Sequence, residues 1–179
     1  NNSIAVINLD DTSLIEIPVG VAPYDVLMKT ETKAYVTNWG GRHPEEGESS
    51  YNSSGTQVLV DPETGIANSG TVSVIDLENL REEKSIEVGL HPSGMAFNKD
   101  KSVLFVACAN SDILSVINTE KDEVVNEISV RMNHNLPFGS SPNAVTLSPD
   151  GETIYVANGT DNSICVLEAN EPYKIKGYI

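Results

Sequence analysis

Three stretches of this chain nearly repeat one another: Tyr35-Val36-Thr37-Asn38, Phe105-Val106-Ala107-Cys108 and Tyr155-Val156-Ala157-Asn158. Each precedes a second apolar run that closes on an acid or an amide: Val72-Ser73-Val74-Ile75-Asp76, Leu114-Ser115-Val116-Ile117-Asn118 and Ile164-Cys165-Val166-Leu167-Glu168. A further copy of that second run stands at Ile4-Ala5-Val6-Ile7-Asn8, so the copies start 68, 42 and 50 residues apart. Val, Ile, Tyr and Thr alternate through these segments with a period of two, and no long stretch carries a helical stripe. A repeat of about 40 residues built only from short strands is the pattern of propeller blades. The fold class expected is all-β, a β-propeller of four-stranded antiparallel blades.

The middle interval is a bare repeat, so the first carries roughly 26 extra residues and the last roughly 8. The extra residues fall at 39–68, rich in Gly, Ser, Glu and Pro, and at 131–138. Each unit opens on Gly-x-x-Pro: Gly20-Val21-Ala22-Pro23, Gly89-Leu90-His91-Pro92 and Gly139-Ser140-Ser141-Pro142. In this reading Gly supplies the unusual dihedrals and Pro ends the preceding strand. A tight turn follows the first strand, clearest at Ser148-Pro149-Asp150-Gly151. The units expected are the second half of a blade at 1–19, a blade at 20–88, a bare blade at 89–130 and a blade at 131–179. That makes about three and a half blades. A propeller closes with roughly 4–8, so the chain is expected to belong to a larger, seven-bladed ring and to have adhesive outer faces.

These residues resemble the YVTN family of bacterial β-propellers, through Tyr35–Asn38, the Gly-x-x-Pro openings, Ser148–Gly151 and the Val72–Asp76 ending. Asn38-Trp39-Gly40-Gly41-Arg42, Val60-Asp61-Pro62-Glu63-Thr64-Gly65 and Leu136–Ala144 further resemble the YncE-like propeller that precedes an alkaline-phosphatase-superfamily phosphoesterase domain in surface-layer-type proteins. Cys108 departs from the motif, standing where the other copies have Asn. The resemblance implies an exported protein, periplasmic or at the cell surface. It also implies partners in the remaining blades and a C-terminal phosphoesterase domain, with self-association through exposed blade edges as another route. Propellers host many unrelated activities, so it implies fold more than chemistry.

A net charge of −15 argues against nucleic acid and anionic membranes as partners. No apolar run is long enough to span a bilayer. Cys108 and Cys165 occupy different strand types and are expected to be buried free thiols; they also lack zinc-site spacing.

In an up-and-down blade, the connection into the first strand and the loop between the second and third emerge on one face. That places His91, Arg131 and His134 beside Arg42 and His43, with Trp39 at the strand end, and puts Arg81 on the other face. The scarce cations of an acidic chain would then ring the channel mouth, where Arg offers a fork for carboxylate or phosphate and His a titratable donor. The competing reading has Glu45, Glu46 and Glu48 neutralising Arg42 locally. A metal site is not expected from histidines 48 and 43 residues apart, and no cofactor is expected. No nucleophile elbow, His-Glu-x-x-His or phosphate-binding glycine loop is present. The function expected is a non-catalytic binding or scaffold module; the alternative is a lactonase- or quinoprotein-like propeller enzyme with its site at the channel mouth.

Overall fold

A computed structural model describes residues 2–133, 135 and 139–179. Among them there is no helix, hence none long and apolar enough to cross a membrane. The strands are β1 (Ser3–Ile7), β2 (Leu14–Pro18), β3 (Val21–Met28), β4 (Lys33–Gly41), β5 (Ser50–Ser53), β6 (Thr56–Leu59), β7 (Thr71–Asp76) and β8 (Arg81–Glu87). They continue as β9 (Pro92–Phe97), β10 (Val103–Cys108), β11 (Ile113–Asn118), β12 (Glu123–Ser129), β13 (Pro142–Leu147), β14 (Thr153–Asn158), β15 (Ser163–Glu168) and β16 (Ile175–Tyr178). Three antiparallel sheets run in simple order, β3-β4-β7-β8, β9-β10-β11-β12 and β13-β14-β15-β16, with β1-β2 as a two-stranded sheet before them.

Each sheet stacks on the next through side chains at matching repeat positions. Ile17 and Val19 meet Ala34, Val36 and Ile75; Tyr35, Val72 and Val74 meet Met95, Leu104 and Val106; Phe105, Leu114 and Val116 meet Ile154, Val156 and Leu167. All of these are buried, and burial of a Val, Leu or Phe side chain contributes about 1.5–3 kcal/mol. On the third sheet the equivalents Tyr155 and Val166 are only partly covered, and Ile164 is 39 % exposed where Val72 and Leu114 are at 0 %. The pattern that makes two interblade cores is thus carried on a third face that the described residues leave open.

The Gly-x-x-Pro turns work differently from the sequence reading. Positive φ falls on the third residue, Ala22 (55°), His91 (59°) and Ser141 (51°), and not on the glycines that open the turns. Those glycines are needed for close approach: a Cβ on Gly20 would press on the Gly41 carbonyl and the Asn38 amide, and one on Gly89 on Cys108 and Ile113. Gly151 does take the positive φ (81°) expected of its turn. The polar residues at strand ends divide into two kinds. Asp76 and Asn118 accept from the backbone of the turns that follow. Asn38 and Asn158 instead point inward, Asn38 donating to Thr71 and Ser73 and Asn158 to the Val130 carbonyl. Arg81, expected in a loop, opens β8 beside Asp76. Cys108 and Cys165 are free and buried.

The longer insertion is not a bare loop. β4 runs on through Gly41, and the excursion then forms the β5–β6 hairpin with Val60 bridged to Ala67. Its two-residue turn, Ser54-Gly55, has both φ positive (52° and 88°), the type I′ geometry that matches strand twist.

Candidate functional site

The connection into each first strand and the loop between second and third strands share one face. Ala109 and Asn110 donate backbone hydrogen bonds to the His91 and Leu90 carbonyls, and Gly159 and Thr160 do the same to Ser141 and Ser140. The opposite face holds a separate network: Lys33 Nζ lies 2.6 Å from Asp122 Oδ2, Tyr35 donates its hydroxyl to Asp122, and Lys29 donates to the Thr119 carbonyl.

On the loop-bearing face the cations are already engaged. Arg42 makes a two-pronged contact with Glu48, 2.7 and 2.6 Å, and a further bond to the His43 carbonyl. The Arg42 fork holds the Glu48 carboxyl down at about 2. A cavity of about 420 Å³ lies beside this pair, between the insertion and the Val88–Leu90 segment, and its wall also carries Glu87. His43 Nε2 is 3.1 Å from the Val19 carbonyl, to which it donates. Arg131 Nε lies 3.4 Å from Asp112 Oδ2, while Asp112 Oδ1 accepts from the Ser141 amide. His134 lies outside the described residues. Arg42 and Arg131 therefore share a face with His91 but are not gathered into one cluster with it.

What the fold does bring together is aromatic. Trp39, near the end of β4, stacks on Tyr24 of β3 with centroids 4.9 Å apart and planes 7° from parallel. The His91 ring also packs against it, with centroids 4.0 Å apart and planes tilted by 53°. The indole Nε1 donates to Ser93 Oγ on the next blade (3.2 Å), so the ring is pinned between two sheets. His91 owes its position to the left-handed backbone of its turn, and its Nδ1 lies 3.3 Å from Asn110 Oδ1. That acceptor fixes the proton on Nδ1 and leaves Nε2 as an acceptor. Burial pushes the imidazole below its ordinary value, against the smaller opposing pull of Asn110, so the ring is neutral at pH 7.

The hairpin leans over this group. Ser53 and Val58, with Ala67 behind them, face Trp39, His91 and Asn110 across a cleft of about 200 Å³ that also borders Ala22 and Gly40. No lining side chain carries a charge at neutral pH. Among the described residues no group of three or more His, Cys, Asp or Glu side chains could hold a metal ion. Tyr24 and Asn110 escape sequence reasoning. The only signal is that Tyr24 follows the turn proline where the other units have Ser93 and Asn143.

No family model and no curated protein matches this chain. Among solved structures it is similar to hydrazine synthase of Kuenenia stuttgartiensis, with a TM-score of 0.70 at 22 % identity, over 99 % of this chain and 42 % of that one. It is also similar to the dihydro-heme d1 dehydrogenase NirN in complex with DHE, with a TM-score of 0.68 at 16 % identity, over 99 % of this chain and 33 % of that one. The fold is that of a partial β-propeller. The chain spans less than half the length of either neighbour, and at such identities the likeness carries architecture and no chemistry.

Proposed function

We propose that the chain is a non-catalytic binding module of the YVTN/YncE kind, in an exported bacterial multidomain protein. Its loop-bearing face presents the site for a ligand or a partner domain. The observation that carries this is the β5–β6 hairpin. The one long departure from the blade repeat is spent on covering the loop-bearing end of two blades, where Trp39 and His91 meet. A solvated loop would not need a regular hairpin with an apolar inner side. The two-pronged bond of Arg42 to Glu48 favours a scaffold over an anion-processing centre, because a fork held by a carboxylate is not free to grip a second anion.

The open face of the third sheet, with Tyr155, Ala157 and Ile164 at positions buried in the other two, supports further blades as the neighbours of this segment. A phosphoesterase domain following those blades and a location outside the cytoplasm rest on the sequence resemblance. Reading the coding sequence on both sides tests the proposal. Further Tyr-Val-x-Asn units, an export signal and a downstream phosphoesterase metal motif are expected. Unrelated cytoplasmic domains on either side would overturn it.

A further inference from the structure

Resting on that binding-module reading, we propose that the cleft under the hairpin is a saccharide site taking one ring of an uncharged sugar. Three observations restrict the occupant. First, the lining has no charged side chain: Ala22, Trp39, Val58, Ala67, His91 and Asn110 are all uncharged at neutral pH. In a chain of net charge −15, an anion would be repelled with no fork to receive it. Second, Trp39 already packs against two of the chain's own rings, Tyr24 at 4.9 Å and His91 at 4.0 Å, which leaves less of its surface for a flat aromatic ligand. The indole N–H is spent on Ser93.

Third, the polar groups come as a neighbouring acceptor and donor. The bond between His91 Nδ1 and Asn110 Oδ1 leaves imidazole Nε2 as an acceptor and the Asn110 amide N–H₂ as donors. Ser53 adds a hydroxyl from the hairpin. A vicinal diol satisfies this pair, one hydroxyl donating to His91 and the other accepting from Asn110, while ring C–H groups cover Ala22, Val58 and Ala67. A purely apolar ligand would cover the half-buried His91 and leave its Nε2 without a donor, which is costly. The left-handed backbone of His91 belongs to the repeat, since Ala22 and Ser141 share it. The imidazole at this position does not, and neither does the tryptophan it touches.

Trp39 is the chain's only tryptophan, so its emission reports on this cleft alone. The test titrates the purified chain with methyl glycosides of glucose, galactose, mannose and N-acetylglucosamine, then with glucuronate and glucose 6-phosphate. A saturable change in emission with a neutral glycoside is expected. Asn110→Ala, at an exposed turn, should weaken it about tenfold, the loss expected for one partnered hydrogen bond and its orienting contact. Arg81→Ala, on the opposite face, should leave it unchanged. No response to any neutral sugar, a response confined to the anionic sugars, or a response that survives Asn110→Ala would each overturn the assignment. Such a failure would leave the module reading standing, because that reading is tested by flanking sequence and turnover and not by sugar binding.

Discussion

Tyr35→Phe removes one buried hydroxyl that bonds across two blades. The Tyr35 side chain is fully buried, its ring meets Phe97 edge-on at 5.9 Å, and its hydroxyl donates to Asp122 beside Lys33. Phe105 occupies the same repeat position one blade later, in edge contact with Tyr173 at 5.8 Å, so the position accepts a ring without a hydroxyl. The substitution therefore removes the charge-assisted bond to Asp122 together with the hydroxyl's longer contact, 3.3 Å, to the Thr119 carbonyl. Such bonds contribute about 1.5–3 kcal/mol. Asp122 keeps Lys33 and some solvent access, which places the loss near 2 kcal/mol, or about 4–8 °C in Tm for a chain of this size.

The phenol adds a pH signature. Burial first, and then the bond to Asp122, raises the Tyr35 pKa above its ordinary 10. Above pH 10 the unfolded chain has released this proton and the folded one has not, so the Tyr35 share of stability is complete below 10 and declines as pH rises beyond it. Urea unfolding followed by circular dichroism at pH 7, 9 and 10.5 should show the gap between wild type and Tyr35→Phe constant at the lower two values and narrower at the highest. Equal stability of the two proteins at pH 7, or a gap that widens with pH, would refute the reasoning.

Other consequences are open to measurement. Leu114→Ala, in a closed interblade core, should cost about 2–5 kcal/mol, and Ile164→Ala, at the equivalent open position, less than about 1 kcal/mol by the same denaturant titration. Burial pushes the thiols of Cys108 and Cys165 up to about 11; both should resist a thiol reagent at pH 8 in the folded chain and react at once in urea. Glu48 is held at about 2 against an ordinary 4.5, so its contribution is complete above 4.5 and is lost as pH falls towards 2. Hydrogen-exchange protection in 42–69, taken relative to the intrinsic exchange rate at each pH, should fall across that window, and Glu48→Gln should remove that fall. Gly41→Ala should destabilise, because φ is +70° there and a Cβ would strike Ser69, whose hydroxyl accepts the Arg42 amide.

The blades were legible because each interblade contact recurs at the same repeat position. Tyr35 and Phe105, or Val72 and Leu114, announce a shared face by alternation alone. The Gly-x-x-Pro turn was read correctly as punctuation but with the strain on the wrong residue. A glycine required by close packing and one required by positive φ look alike in sequence. The placement of Arg42, His43, His91 and Arg131 on one face followed from strand order. What strand order cannot supply is pairing within the insertion. The local neutralisation of Arg42 was within reach as the competing reading, and Glu48 supplies it, but the hairpin hidden in a Gly- and Ser-rich segment depends on how residues 42–69 fold back, and the meeting of Tyr24 with Trp39 on how β3 and β4 lie side by side. Chemistry at this face was therefore expected from cations, and the structure builds its cleft from uncharged groups.

The proposed role as a binding module is tested most directly by turnover. The purified chain would be assayed against p-nitrophenyl phosphate, bis(p-nitrophenyl) phosphate and an aliphatic lactone, with and without added divalent metal. No release above the buffer rate is the result this account predicts. Saturable hydrolysis that disappears on His91→Ala would contradict it.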